Sequence, residues 1–315
     1  APVVWLHRSG GTNPLRSTPS NWAFPRFSPD GRRLAVAIND GRQTDIWVYD
    51  WERDPLTRVT SDPGTAVAPV WTPDGAALVF GSNRGGRASN LYWQRADGIG
   101  EAQRLTDSPI PQIPDSFSPD GRNLAFHQGS VPLGRQDLMV LPIERDERGG
   151  LKVGAATTFL SGPSLKSNLR FSADGRWVAY AELDSGRSEI YVQPFPGPGP
   201  RVPLSSHGGN LALWSPSPDS HDLFYNDSSQ WKMMVVSYST AGGVFTPSKA
   251  RVWSEARFSA NPPLGAYGPG FDLHPDGQRF AVAPPAPPVV DDPRPTQLVL
   301  VFNFLDELRR LVPVR

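Results

Sequence analysis

A five-residue phrase recurs along this chain at the period of a small folding unit, and that recurrence restricts the architecture more than any other feature. It reads Phe27-Ser-Pro-Asp-Gly31, Trp71-Thr-Pro-Asp-Gly75, Phe117-Ser-Pro-Asp-Gly121 and Phe171-Ser-Ala-Asp-Gly175, with degenerate copies at Ser217-Pro-Asp-Ser220 and Leu273-His-Pro-Asp-Gly277. The signature Asp stands at 30, 74, 120, 174, 219 and 276, so the spacings run 44, 46, 54, 45 and 57 residues. Each period fits one four-stranded propeller blade with loops of varying length. Pro sets φ, Asp bonds its own backbone and Gly takes positive φ, so the phrase is turn chemistry between a first and a second strand.

The flanks agree. Short β-rich runs follow each turn: Leu34-Ala-Val-Ala, Leu78-Val-Phe, Leu124-Ala-Phe, Val178-Ala-Tyr, Leu223-Phe-Tyr and Phe280-Ala-Val. Third strands follow at Asp45-Ile-Trp-Val-Tyr, Asn90-Leu-Tyr-Trp, Asp137-Leu-Met-Val, Glu189-Ile-Tyr-Val, Lys232-Met-Met-Val-Val and Gln297-Leu-Val-Leu-Val. Outer strands such as Leu56–Thr60 and Gln103–Thr106 close most units, and the aromatic before each turn (Phe27, Trp71, Phe117, Phe171) is expected to pack between neighbouring blades. The reading is an all-β, six-bladed propeller of four-stranded antiparallel blades forming one domain over 1–315, with first strands near 22–28, 66–72, 112–118, 166–172, 210–217 and 268–274. The last blade lacks a strand, which Val3–His7 or its continuation at Pro14 is expected to supply, removing an exposed sheet edge. Ala283–Pro295, with its many prolines, reads as an excursion within that blade, and Phe304–Leu311 has the spacing of a short C-terminal helix.

Composition narrows function by exclusion. Without Cys there are no disulfides, thiolate metal sites or cysteine nucleophiles. Thirty-one basic residues balance 31 acidic ones, which argues against a nucleic-acid partner. No apolar run reaches the roughly 20 residues of a membrane helix. Ala1–Trp5 has no secretory-signal pattern, so the chain is expected to be cytosolic or to have its targeting segment outside these 315 residues.

The repeats resemble those of TolB-type, WD-repeat-like six-bladed propellers across the chain. Tyr191-Val-Gln-Pro-Phe-Pro-Gly-Pro-Gly199, Ser205–Gly209, Asp222–Tyr225, Phe271–Phe280 and Asn303–Arg309 further resemble the propellers behind bacterial membrane-anchored serine/threonine kinases. That resemblance implies a sensing or interaction module outside the membrane, hence an extracytoplasmic, periplasmic setting. No kinase motif occurs in the chain, and the serine nucleophile elbow of prolyl-oligopeptidase-like enzymes is missing as well.

Function on a ring of blades is expected at the central channel and its rim. Aligned on the turns, blades three to five offer polar residues there while blades one, two and six are mostly apolar. Trp22, Gln112, Asp115, Lys166, Asn168 and Asn210 are the candidate ligand-binding residues. Asp115 stands in the slot held by Pro25 and Pro69, and a carboxylate in a first strand calls for a partner. Among His7, His127, His207, His221 and His274, the reading puts His127 at the end of a second strand and His207 in a loop, both toward the polar rim. Imidazoles and carboxylates converging from different blades would suit a three-ligand, open-position zinc centre, for which His127, His207, Asp115 and Glu182 are candidates. Zinc is favoured over the calcium of other six-bladed propellers that hydrolyse phosphotriesters and lactones, because no acidic ring is evident.

The expected function is therefore a monomeric binding or sensing module with a small molecule or protein at its channel rim. The alternative is a metal-dependent hydrolase of activated esters, such as phosphoesters.

Overall fold

The copies at 27–31, 71–75, 117–121, 171–175 and 273–277 fold into the predicted reverse turn. Ser28 Oγ donates to Asp30 Oδ1 (2.5 Å) and accepts the Arg33 amide (2.9 Å), while the Gly31 amide bonds Ser28 O (2.8 Å) with Gly31 at φ +71°. The same hydroxyl-to-aspartate bond joins Thr72 to Asp74, Ser118 to Asp120 and Ser172 to Asp174. The Ser118 hydroxyl and the Arg122 amide hold the Asp120 carboxyl below its usual range.

The computed structural model describes residues 3–16, 21–130, 134–145, 150–217, 220–257 and 270–283. In chain order the strands are β1 (Val4–His7), β2 (Thr12–Pro14), β3 (Asn21–Phe27), β4 (Arg33–Asn39), β5 (Thr44–Asp50), β6 (Leu56–Arg58), β7 (Ala66–Trp71), β8 (Ala77–Ser82), β9 (Asn90–Arg95) and β10 (Gln103–Arg104). Next come β11 (Gln112–Phe117), β12 (Asn123–Ser130), β13 (Arg135–Arg145), β14 (Leu151–Val153), β15 (Thr157–Leu160), β16 (Leu165–Phe171), β17 (Trp177–Asp184), β18 (Arg187–Pro194) and β19 (Val202–Pro203). The rest are β20 (Asn210–Trp214), β21 (Asp222–Asp227), β22 (Lys232–Ser239), β23 (Thr246–Pro247), β24 (Arg251–Arg257), β25 (Phe271–Leu273) and β26 (Arg279–Val282). The only helical turn among the described residues is Ala241–Gly243.

The strands pair as the meanders β3-β4-β5-β6 and β7-β8-β9-β10, then β11-β12-β13 with β15 on β13, and β16-β17-β18-β19. The last two are linked by one parallel bridge, Gln136 to Leu165. β20-β21-β22 with β24 follows, and β25-β26-β1-β2 unites both ends of the described chain. This is an all-β propeller.

Its core lies between sheets. One apolar cluster joins Phe24 and Ile46 to Trp71 and Phe80, a second Val79 and Leu91 to Phe126 and Ile143, and a third Leu138 to Leu169 and Tyr180. Further clusters link Trp177 and Ile190 to Trp214 and Tyr225, Leu213 and Phe224 to Phe271 and Phe280, and Trp5 and Ala281 to Phe27 and Leu34. The succession therefore returns to its start. Phe27, Trp71 and Phe171 are buried within it as expected, and Trp71 Nε1 and Trp214 Nε1 donate across sheet boundaries to Arg26 O and Arg170 O, both at 2.9 Å.

The first strands share an irregularity. Their pairing shifts register at Ala23/Arg26, Val67/Val70, Pro114/Ser116, Ser167/Arg170 and Asn210/Ala212. At the shift Phe24, Ala68, Asn168 and Leu211 take φ of +54°, +53°, +59° and +45°. Non-glycine residues hold that conformation only where surrounding packing imposes it, and such bulges re-aim the side chains beyond them. In β11 the equivalent residue is Pro114, whose ring forbids positive φ.

Several boundaries differ from the sequence reading. β1 pairs directly with β26, so the N-terminal segment fills the third-strand position expected of Gln297–Val301, and β2 lies outside it. Leu6 and Trp5 supply the apolar residues this position buries. β20 ends at Trp214, short of 217, because Ser215 takes the turn-serine position: its amide bonds Asp222 O seven residues on, where Ser28 bonds Arg33 five residues on. β12 runs on to Ser130, leaving His127 inside the strand. The expected Gln297 strand, the Phe304–Leu311 helix, residues 268–269 and nearly all of the proline-rich excursion lie outside the described residues.

Candidate functional site

On the face that carries the repeated turns, a cavity of about 380 Å³ is lined from every sheet around the axis. β3, β7, β11, β16 and β25 contribute the residue just before the repeated aromatic or its Leu273 equivalent: Arg26, Val70, Ser116, Arg170 and Asp272. Pro216, beyond β20, completes the circuit. The volume suits a small molecule, and apolar walls with a few polar groups are usual for such sites.

The charges here are buried. Arg26 Nη1 lies 3.7 Å from Asp272 Oδ1, and Asp272 Oδ2 accepts the Phe27 amide at 2.8 Å. Desolvation raises the Asp272 carboxyl to about 6 against the opposing pull of Arg26, and it lowers the Arg26 guanidinium. Arg26 Nε and Nη1 and Arg170 Nε and Nη2 are buried without a hydrogen-bond partner. Ser116 Oγ is already committed to Leu169 O at 2.7 Å.

A second buried group involves the sequence candidates. His127 Nδ1 donates to Asp115 Oδ1 at 3.0 Å across β11 and β12, and the same oxygen accepts the Asn168 amide at 3.0 Å. Asp115 thus ties β11 to the left-handed residue of β16. Asp115 Oδ2 and His127 Nε2 remain unpartnered and buried.

The other candidates are elsewhere. Lys166 Nζ donates to Ser164 Oγ (2.7 Å) and lies 3.6 Å from Glu182 Oε1, while Arg201 pairs with Glu182 Oε2. Gln112 bonds Gln128 (2.8 Å) and Thr106 (2.5 Å), and Asn210 is half-buried at the start of β20. Trp22 packs edge-on against Tyr49 within the cluster that joins the first and last sheets, so it is core instead of a channel-mouth residue. His207 is exposed, its Nδ1 2.9 Å from Ser206 Oγ. The four metal candidates therefore do not form one ligand set: Asp115 and His127 meet, whereas Glu182 is held by two cations and His207 bonds its neighbour. Among the described residues no group of three or more His, Asp or Glu side chains is placed to hold a metal.

His274 occupies the turn-serine position of the last copy and is buried against Trp5 and Phe27, and its Nε2 donates to Gly31 O at 3.0 Å. A groove of about 700 Å³ between the second and third sheets is larger than the channel cavity. It is spanned by a half-exposed ion pair between Arg145 and Asp74 at 2.5 Å, and it carries none of the unpartnered buried polar atoms.

Sequence reasoning missed Arg26, Arg170 and Asp272 because it looked to the opposite rim. The signal was present: the residue before the repeated aromatic is Arg in two copies and Asp in another, against Val, Ser and Leu in the rest.

The family model described as TolB beta propeller domain matches residues 3–168, more than half of the chain. The chain is 28% identical over 192 residues to the uncharacterized peptidase YuxL of Bacillus subtilis (strain 168), covering 50% of this chain and 29% of that protein. It is 29% identical over 198 residues to the Tol-Pal system protein TolB of Francisella tularensis subsp. mediasiatica, covering 61% of this chain and 43% of that one. It thus spans less than half the length of either relative. Among solved structures, a TolB candidate from Agrobacterium tumefaciens aligns with a TM-score of 0.62 at 18% identity, over 89% of this chain and 96% of that one, a likeness of fold.

Proposed function

Because the chain belongs to the TolB β-propeller domain family, we propose that it is a ligand- or protein-binding module, one domain of six four-stranded blades whose site is the central channel and its rim. One observation carries this reading: the cavity of about 380 Å³ is lined from every sheet and holds buried polar atoms without partners. Such atoms cost stability unless something bonds them, so their concentration in a concave space favours a ligand there. Val70→Phe narrows the channel without altering its charge, whereas Ile99→Asp changes an exposed surface residue. Saturation-transfer NMR with a panel of neutral and anionic small molecules should find ligands lost in Val70→Phe and kept in Ile99→Asp. Binding indifferent to Val70→Phe would overturn the channel as the site.

The alternative, a metal-dependent hydrolase of activated esters, draws on the buried Asp115–His127 pair with its unpartnered Oδ2 and Nε2. Two donors fall short of the three that an open-position zinc site takes. Metal content of the purified protein tests it: a stoichiometric divalent ion lost in His127→Ala, together with esterase turnover, would favour the enzyme.

The module is further read as monomeric and extracytoplasmic, the latter supported by the resemblance to propellers outside the membrane. Among the described residues no helix is long and apolar enough to cross a membrane. Light scattering and a compartment-sensitive reporter fusion test the two statements.

A further inference from the structure

We propose that the turn-side mouth of the channel binds a small oxyanion, a carboxylate- or phosphate-bearing molecule, on the guanidinium of Arg170 with Arg26 as the second donor group. The inference rests on the channel being the binding site and names the chemistry that it selects.

Arg170 carries the argument. It projects from β16 beyond the bulge at Asn168, lines the cavity and is only 9% exposed. Its Nε and Nη2 are buried and unpartnered, and among the described residues no ion pair involves it. Other arginines of this protein show how the charge is ordinarily met: Arg58 pairs with Asp45 at 2.5 Å, Arg84 with Asp62 at 2.5 Å, and Arg33 donates to Gly75 O at 2.8 Å while stacking on Trp71. A guanidinium taken out of water without an anion is strongly unfavourable, and a permanently charged group cannot escape by losing its proton.

Arg26 adds a second set of donors from another side of the same cavity. Its partner Asp272 lies at 3.7 Å, beyond hydrogen-bond length, so Nε and Nη1 keep their capacity. Asp272 pairs with Arg26 and the buried Asp115 also offsets that charge, whereas no carboxylate bonds or pairs with Arg170 among the described residues, so the donors left unmet are those of a cation and their complement is an anion. Planar guanidinium forks match the paired oxygens of carboxylates and phosphates. Val70, Phe27 and Leu273 give the remaining wall an apolar character, and about 380 Å³ admits a metabolite-sized molecule.

The test uses the full chain, titrated calorimetrically with sodium phosphate and with sodium succinate against sodium chloride at equal ionic strength, with thermal melting in parallel. Saturable binding of at least one probe is expected, with a melting temperature that climbs with probe concentration. Arg170→Gln should weaken it by at least about tenfold, Arg170→Lys by less, since it keeps charge but loses the fork. Phosphate alone, succinate alone or both identify which source of oxyanion the site accepts, and each supports the proposal. Failure of both probes overturns it, as does unchanged affinity in Arg170→Gln that still melts cooperatively. Should Arg170→Gln not fold, Val70→Phe takes its place and must also abolish binding. If neither anion binds while neutral ligands are lost in Val70→Phe, this inference falls and the channel reading stands. Anion binding indifferent to Val70→Phe removes both.

Discussion

Arg26 and Asp272 face each other at 3.7 Å across the junction of the first and last inner strands, both largely buried. The folded Asp272 carboxyl titrates at about 6, above its ordinary 3.8, because burial penalises its charge more than Arg26, the Phe27 and Leu273 amides and His274 stabilise it. A raised carboxylate pKa means that the folded state binds the proton more tightly than the unfolded one. Its stabilising contribution is complete below about pH 4 and disappears as pH rises through about 6. Urea unfolding between pH 4 and 7 should therefore show the native protein losing roughly 1–3 kcal/mol relative to Asp272→Asn. Parallel pH profiles for the two proteins would contradict this.

Asp115 should matter through its acceptor oxygen. Asp115→Ala strands the Asn168 amide and the His127 ring in a buried space, at a cost of about 2–5 kcal/mol from two unpaired groups. Asp115→Asn keeps one acceptor and should lose clearly less. Chemical denaturation of both variants decides the matter, and equal losses would mean that charge, not hydrogen bonding, is what the position supplies.

The turn glycines differ in their neighbours. A Cβ on Gly31 would come within 2.9 Å of His274 Nε2 at φ +71°, whereas one on Gly41, at φ +92°, meets nothing within 4 Å. Gly41→Ala should cost about 1 kcal/mol from backbone conformation alone, and Gly31→Ala about 1–2 kcal/mol more. Combining each with His274→Ala should reveal coupling at 31 and additivity at 41.

Closure by the N-terminal strand predicts that a residue near one end stabilises the whole ring. Leu6, 1% exposed, packs with Phe280 and Phe271, so Leu6→Ala should cost about 2–5 kcal/mol. The exposed Ile99 should tolerate Ala within about 0.5 kcal/mol. Similar melting temperatures for the two variants would mean that β1 does not seal the last sheet.

Much of the architecture was readable because turns and strands are local. Ser-Pro-Asp-Gly specifies a turn through contacts within five residues, as Ser28, Asp30 and Arg33 demonstrate. The site was less legible. Asp115 was singled out correctly as a carboxylate needing a partner, yet Lys166 and Glu182 met each other instead of joining it. Trp22, read as a rim residue, went into the seam that joins the first and last sheets, since only the folded ring brings Val3, Trp5 and Ala281 into its cluster.

The amino-acid sequence by itself determined the all-β repeat and its turns, because these follow from residue types a few positions apart. Only the tertiary structure decided which charges share the channel. Arg26, Arg170 and Asp272 are 102 to 246 residues apart along the chain, and nothing local records that they line one cavity. Their meeting follows from the sheets packing face to face around an axis with their first strands innermost, which removes these charges from water and leaves Arg170 Nε and Nη2 without a hydrogen-bond partner.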